Sequence, residues 1–171
     1  MKVVAICGSV RKGNTEIMLK RALDGAKEAG AAIELILLKD KNIEFCEGAN
    51  SDKEDDMHLI YGKVLASDAL IFGSPNYFNN VSALMKVFMD RMDKYWDSEK
   101  FQGKKAGIIC VGGQPLDAVQ KCEDAIKEFC RICKLNVVGS VLASADAASE
   151  ISENEKVLNE CFELGKKLVS E

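Results

Sequence analysis

The stretch Lys2-Val3-Val4-Ala5-Ile6-Cys7-Gly8-Ser9-Val10-Arg11-Lys12-Gly13-Asn14-Thr15 decides the fold. Residues 2–7 are an apolar run of strand length. The run turns at once into a Gly/Ser/Asn/Thr loop, and helical periodicity begins at Asn14. A buried strand, a glycine loop and a helix start together outline a phosphate cradle. Glycines let the backbone approach an anion, and a helix N-terminus offers unpaired N–H groups and the positive end of its dipole. Ser9 and Thr15 add hydroxyls, Asn14 an amide, and Arg11 a cation able to bind a phosphate by two hydrogen bonds.

Outward from that stretch, strand and helix patterns alternate to the end of the chain. The spacing predicts helix one over 14 to about 29, with Gly30 as its stop. Strand two is read at 33–38, helix two at 57–66 and strand three at 69–72, bounded by Gly73-Ser74-Pro75. Residues 39–56 are polar and irregular. After the loop Asn76-Tyr77-Phe78-Asn79-Asn80, the residues Val81, Leu84, Met85, Phe88, Met89 and Met92 form an apolar stripe for helix three. Strand four is 106–111, followed by Gly112-Gly113-Gln114; Pro115 suits the first position of helix four, which reaches about residue 134. Strand five is 137–142, and the last helix is 151–169.

Five strands alternating with five helices imply a parallel sheet covered on both faces. The expected architecture is one α/β domain over residues 1–171, a three-layer α/β/α sandwich with the flavodoxin-like strand order 2-1-3-4-5. In such sheets ligands sit beyond the carboxyl ends of the strands, next to strand one. The loops after strands one, three and four should therefore converge on one site.

Composition narrows the classes. The 171 residues suffice for a core without staples, and the net charge of −4 leaves no basic footprint for nucleic acid. No apolar run approaches the roughly 20 residues of a membrane span, and the first strand is too short for a signal peptide. Seven cysteines, an odd number at modest density, fit a reducing compartment, and a cytoplasmic location is expected.

The first loop is distinguished from its rivals by what it lacks. Gly8 to Thr15 nearly spells G-x-x-x-x-G-K-[ST], but Asn14 stands where an NTPase has lysine. The dinucleotide pattern G-x-G-x-x-G is absent. Three residues, not five, separate Cys7 from Arg11, which excludes the phosphatase loop C-x5-R. Cys7 and Ser74 stand where a receiver domain has acidic residues. A cradle for one terminal phosphate remains, beside the plainer reading of an ordinary glycine-containing turn. The second loop pairs aromatic faces with amides, as a flat heteroaromatic ring requires, and Asn79 or Asn80 would also cap helix three. Gly112-Gly113 permits close backbone approach opposite.

Together, Gly8-Ser9-x-Arg11-x-Gly13-Asn14-Thr15 and Gly73-Ser74-Pro75-Asn76-Tyr77-Phe78-Asn79-Asn80-Val81-Ser82, continuing through Lys86, Phe88, Asp90 and Arg91, resemble the NADPH-dependent FMN reductase and iron–sulfur flavoprotein group. Gly112-Gly113-Gln114 is a weaker match. The resemblance covers almost the whole chain. It implies bound FMN, its phosphate held by Ser9, Arg11, Asn14 and Thr15. Its ring would be lined by Pro75, Asn76, Tyr77, Phe78 and Asn79 and closed by Gly112 and Gly113. It further implies an oxidoreductase taking electrons from NADH or NADPH and passing them to a quinone, free flavin or another small-molecule electron acceptor. An FMN electron carrier working between protein partners is the alternative. No catalytic acid or base is expected, and a homo-oligomer is. Trp96 would pack on a partner subunit or cap the core edge.

There is one departure. Iron–sulfur members of the group carry several cysteines just before Asp-Asp-Met; here Cys46 is the only thiol between residues 43 and 57. A [4Fe–4S] cluster needs four thiolates, so no cluster and no other metal site is expected. Val119, Cys122, Ile126, Phe129, Cys130 and Cys133 share one helical stripe, which makes Cys130-x-x-Cys133 a core feature. Cys161 reads likewise, Cys110 belongs to a strand, and Cys7 packs or touches the ligand. His58, the single histidine, is assigned to a helix end or the surface.

Overall fold

The computed structural model describes residues 1–48, 53–95 and 98–170. Its strands are β1 (Lys2–Cys7), β2 (Ala32–Leu37), β3 (Ala69–Pro75), β4 (Lys105–Gly112) and β5 (Asn136–Ser144). Its helices are α1 (Asn14–Glu28), α2 (Met57–Leu65), α3 (Ala83–Arg91), α4 (Leu116–Ile132) and α5 (Glu155–Val169). All four strand pairings are parallel and the sheet order is β2-β1-β3-β4-β5, as expected. The order reverses beside β1, so the crevice lies beyond Cys7 and Pro75.

Alternate strand residues feed two cores. Val3, Ala5, Ile71, Ile109 and Val141 face α1 and α5. Val4, Ile6, Phe72, Ile108 and Cys110 face α2, α3 and α4. The predicted stripes hold: Val119, Cys122, Ile126, Cys130 and Cys133 are buried on α4 or at its end, as are Val157, Cys161, Leu164 and Leu168 on α5. Burial pushes Cys130 up to about 12, Cys133 to about 11 and Cys161 to about 12, as inert core thiols behave. His58 is exposed in the first turn of α2.

Several boundaries differ from the sequence reading. Strand two begins at Ala32, which pairs with Lys2, and ends at Leu37; Leu38 opens a 3-10 turn yet stays fully buried, which is why it read as strand. Pro115 precedes α4 in an extended conformation (ψ 156°) rather than opening it. The last helix is broken at Asn154, whose side chain accepts from the Val157 N–H and caps α5; Glu150–Glu153 is a separate 3-10 turn. Ser82, not Asn79 or Asn80, caps α3: its Oγ accepts from the Met85 N–H at 3.1 Å. Trp96 and residues 49–52 lie outside the described residues. Among the described residues no helix is long and apolar enough to cross a membrane.

Candidate functional site

The loops after β1, β3 and β4 meet in one cleft at the carboxyl end of the sheet, with a cavity of about 150 Å³ that opens to solvent. Ser9, Arg11, Asn14 and Thr15 line one end; Pro75, Asn76 and Tyr77 line the other, with Gly112 and Gly113 facing them.

The β1 end is shaped by its own short-range bonds. The Ser9 hydroxyl donates to Arg11 O at 2.8 Å, closing the loop upon itself. Ser9 is thus a loop former as well as a lining residue. Gly8 is anchored on both sides, its N–H donating to Gly73 O at 2.8 Å and its carbonyl accepting from Ser82 Oγ at 2.6 Å. A Cβ at Gly8 would stand 2.8 Å from the Met85 Cβ, so glycine is what lets α3 approach. Gly13 differs: its backbone is extended (φ 178°), and a Cβ there would find no heavy atom within 4 Å. It borders open space at the N-terminus of α1, where the first-turn N–H groups have no helical acceptor. Thr15 is buried in that turn and Arg11 stands exposed on the rim.

Asn14 does more than the sequence suggested. Its Nδ2 donates to Ala147 O at 2.9 Å and its Oδ1 accepts from the Ile151 N–H at 3.2 Å. The side chain therefore ties the loop after β5 to the cradle. Glu150 shapes that loop further, its Oε2 accepting from the N–H groups of Asp146 (2.9 Å) and Ala147 (3.0 Å). Ala145, Asp146 and Ala148 consequently form a fourth wall that the sequence reading missed. The available signal was position alone, a run of small residues around Asp146 directly after strand five. It has neither glycine nor aromatic residue to draw attention. A Cβ at Gly113 would lie 2.7 Å from Asp146 Oδ1, so a side chain there would push the Asp146 carboxylate aside.

The β3 end is a tight turn. Tyr77 and Asn80 exchange backbone hydrogen bonds of 3.0 and 3.1 Å, and the two residues between them are left-handed, Phe78 at φ 51° and Asn79 at φ 60°. Such a two-residue turn throws its central side chains outward. Phe78 is fully exposed and Asn79 exposed, and neither lines the cleft, whereas Tyr77 does. Phe78 is a bulky residue in a conformation that costs on the order of 1–3 kcal/mol. Asn76, by contrast, is buried; its Nδ2 donates to Gln114 Oε1 at 3.0 Å, and its Oδ1 has no hydrogen-bond partner. The amide thus has its donor spent on Gln114 within the protein, where the sequence suggested a donor for a ligand.

The cysteines stand apart from this chemistry. Cys7 faces the α1 core with Met18 and Leu19, and burial pushes its thiol up to about 11. Cys110 and Cys122 are fully buried, and the Cys122 thiol donates to Pro75 O at 3.8 Å, bracing the β3 end from below. Cys46 is half-buried on the far side of α3, in a segment clasped by Arg91. Arg91 forms a buried two-pronged ion pair with Asp55 and donates to Glu44 O at 3.0 Å. Burial works against the Asp55 charge, but Arg91 and the N–H groups of Glu44 and Met57 hold its carboxyl below the usual range.

The sequence matches the family of NADPH-dependent FMN reductases over residues 1–150. It is 35% identical to an iron-sulfur flavoprotein of Methanocaldococcus jannaschii over 147 residues, covering 81% of this chain and 76% of that one. It is 31% identical to an NAD(P)H dehydrogenase (quinone) of Caulobacter vibrioides over 99 residues, 57% of this chain and 50% of that one. Among solved structures, a flavone reductase superposes with a TM-score of 0.82 at 22% identity, covering 99% of this chain and 62% of its own.

Proposed function

The chain belongs to the NADPH-dependent FMN reductase family, and on that footing we propose that its cleft holds FMN and that it carries electrons from NADH or NADPH to a small acceptor such as a quinone or free flavin. One observation supports this most: a single cleft has a helix N-terminus with open space at Gly13 at one end, and Pro75 and Tyr77 with the glycine pair Gly112-Gly113 at the other. A terminal phosphate fits the first and a flat heterocycle fits the second.

When bound, FMN supplies two-electron redox chemistry between a nicotinamide and a second acceptor. The chain's residues bind and orient. Arg11, Thr15 and the first-turn N–H groups of α1 would hold the phosphate, with Ser9 keeping their loop in shape. Asn14 would act through the β5 loop as well as at the cradle. Pro75, Asn76 and Tyr77 would take one side of the ring, and Gly112 and Gly113 would let backbone approach the other. Phe78 and Asn79 are exposed on the turn that follows Tyr77, where an incoming substrate or a second copy of the chain would meet them. A fully exposed phenylalanine in a strained turn supports working as a homo-oligomer, which light scattering measures.

The test is anaerobic titration of the FMN-loaded protein. NADH or NADPH should bleach the flavin, and a quinone or oxygen should restore it over repeated cycles. Reduction by dithionite with neither nucleotide effective would replace this reading with that of an electron carrier.

A further inference from the structure

The loop that follows β5 has no glycine and is pinned at each of its first three residues. The Ala145 N–H donates to Gly112 O at 2.9 Å. The N–H groups of Asp146 and Ala147 donate to Glu150 Oε2 at 2.9 and 3.0 Å, and Ala147 O accepts from Asn14 Nδ2 at 2.9 Å. These bonds fix where Asp146 stands. Its chain neighbour meets Asn14 at the α1 end of the cleft, and its own Oδ1 lies 2.7 Å from where a Cβ of Gly113 would be. Asp146 is exposed, and among the described residues it is the one acidic side chain lining the cleft. Its carboxylate accepts no hydrogen bond from any described residue.

On the FMN reading above, we infer that Asp146 is a specificity-determining residue whose carboxylate accepts hydrogen bonds from the hydroxyls of the cofactor's ribityl chain, with Glu150 as the positioning residue that holds its backbone. FMN presents a phosphate, a polyol chain and a ring in that order. With the phosphate at the N-terminus of α1 and the ring against Gly112 and Gly113, the polyol is the part left for the wall between them, which Asp146 supplies. The chemistry selects the same part. An ionised carboxylate only accepts, so it repels the phosphate and the ring carbonyls and suits hydroxyl donors. The ring's own N–H, at N3, lies on the edge away from the nitrogen that carries the ribityl chain. Hydrogen bonds to a charged acceptor are roughly twice as strong as neutral ones, and the bonds within this loop hold the carboxylate in place before a ligand arrives.

The test compares FMN with its phosphopentyl analogue, which carries the same ring and phosphate on a chain without hydroxyls. Flavin-free protein is titrated with each, and binding is followed by loss of flavin fluorescence. The wild-type chain should bind FMN the more tightly. Asp146→Ala, at an exposed position, should lower that preference by roughly 10-fold, the lower end of what a hydrogen bond to a charged group contributes. The ratio cancels any general effect of the charge, because both ligands carry the phosphate. Glu150→Ala should lower the ratio as well, and Glu150→Gln, which keeps an acceptor for the two N–H groups, should restore it. A merely structural loop would weaken both flavins alike. Equal affinity of the wild-type chain for the two flavins overturns the inference, as does a preference that Asp146→Ala leaves intact. A ratio unmoved by Glu150→Ala overturns the positioning role. Failure of the wild-type chain to bind FMN at all overturns the FMN reading instead, so the failures are separable.

Discussion

The two faces of the sheet are built by different means. On the α1/α5 face the helices approach until backbone meets backbone. A Cβ at Gly25 would overlap the Phe162 carbonyl, and one at Gly165 would overlap the Ala22 carbonyl. The core beneath is aliphatic and small, with Val3, Ala5, Ala22, Ala26 and Leu164. On the α2/α3/α4 face the space is filled by rings, Phe72 standing against Phe88 and edge-on to Phe129, with the Arg91–Asp55 pair buried at the margin. The first face holds α1, and so the end of the cleft proposed for the phosphate, by close steric fit. The second ties α3 to Glu44, Asp55 and Met57 by directed hydrogen bonds, which specify geometry at a desolvation cost. One cleft thus has a rigid end inherited from packing and an end tuned by polar groups.

The comparison is broken most severely at the helix crossing. Gly165→Ala should destabilise the protein by about 3 kcal/mol or more, because the added methyl meets backbone that cannot turn aside. Urea unfolding measures it, and an unchanged midpoint would show that the helices have room to part. The FMN affinity of the folded fraction should fall as well, since α1 carries the cradle.

On the opposite face, Arg91→Met should cost about 3–5 kcal/mol by leaving the Asp55 carboxylate buried and unpaired. Adding Asp55→Leu should recover most of that loss, which steric packing alone would not predict. The pair also sets an acid limit. Asp55 has a lowered folded pKa, so its contribution is complete above its ordinary value of 3.8 and is lost as pH falls through the lowered one. The double variant should lack that part of the acid sensitivity, and an identical acid-unfolding profile would remove the pair from the account.

A change confined to the rigid end sharpens the contrast. Arg11→Ala, at an exposed position, should leave stability within about 0.5 kcal/mol while weakening FMN by about 1.5–3 kcal/mol. Gly13→Ala, placed in open space, should likewise spare the fold and weaken FMN by filling the cradle. Unaltered affinity in both would displace the phosphate from this loop.

The smallest effect is expected at Cys46. With no second thiol between residues 43 and 57, anaerobically purified protein should contain no stoichiometric iron or sulfide, and Cys46→Ser should leave its spectrum unchanged. Iron that disappears with Cys46→Ser would mean a cluster shared between chains.

Sequence by itself determined the layers, the strand order and most of the cleft. The reason is that these depend on periodicity and on short-range chemistry. Alternating apolar runs can only bury themselves as a covered parallel sheet, and loops at the carboxyl ends of adjacent strands must meet. Ser9, Arg11, Thr15, Pro75, Tyr77, Gly112 and Gly113 were legible because their types announce what a βα loop does with an anion or a ring. Tertiary structure alone decided which atoms remain unspent once the chain has satisfied itself. Asn14 is partly consumed in holding the β5 loop, and Asp146 enters the cleft only through that tether. Phe78 and Asn79 point away because a two-residue left-handed turn sends them there. Ser82 caps α3 because it alone stands one residue before it. Asn76, presumed a donor for a ligand, spends its amide N–H on Gln114, 38 residues along the chain. A residue's type states what it could bond; only the neighbours brought in from distant sequence decide which of its atoms are left for a ligand.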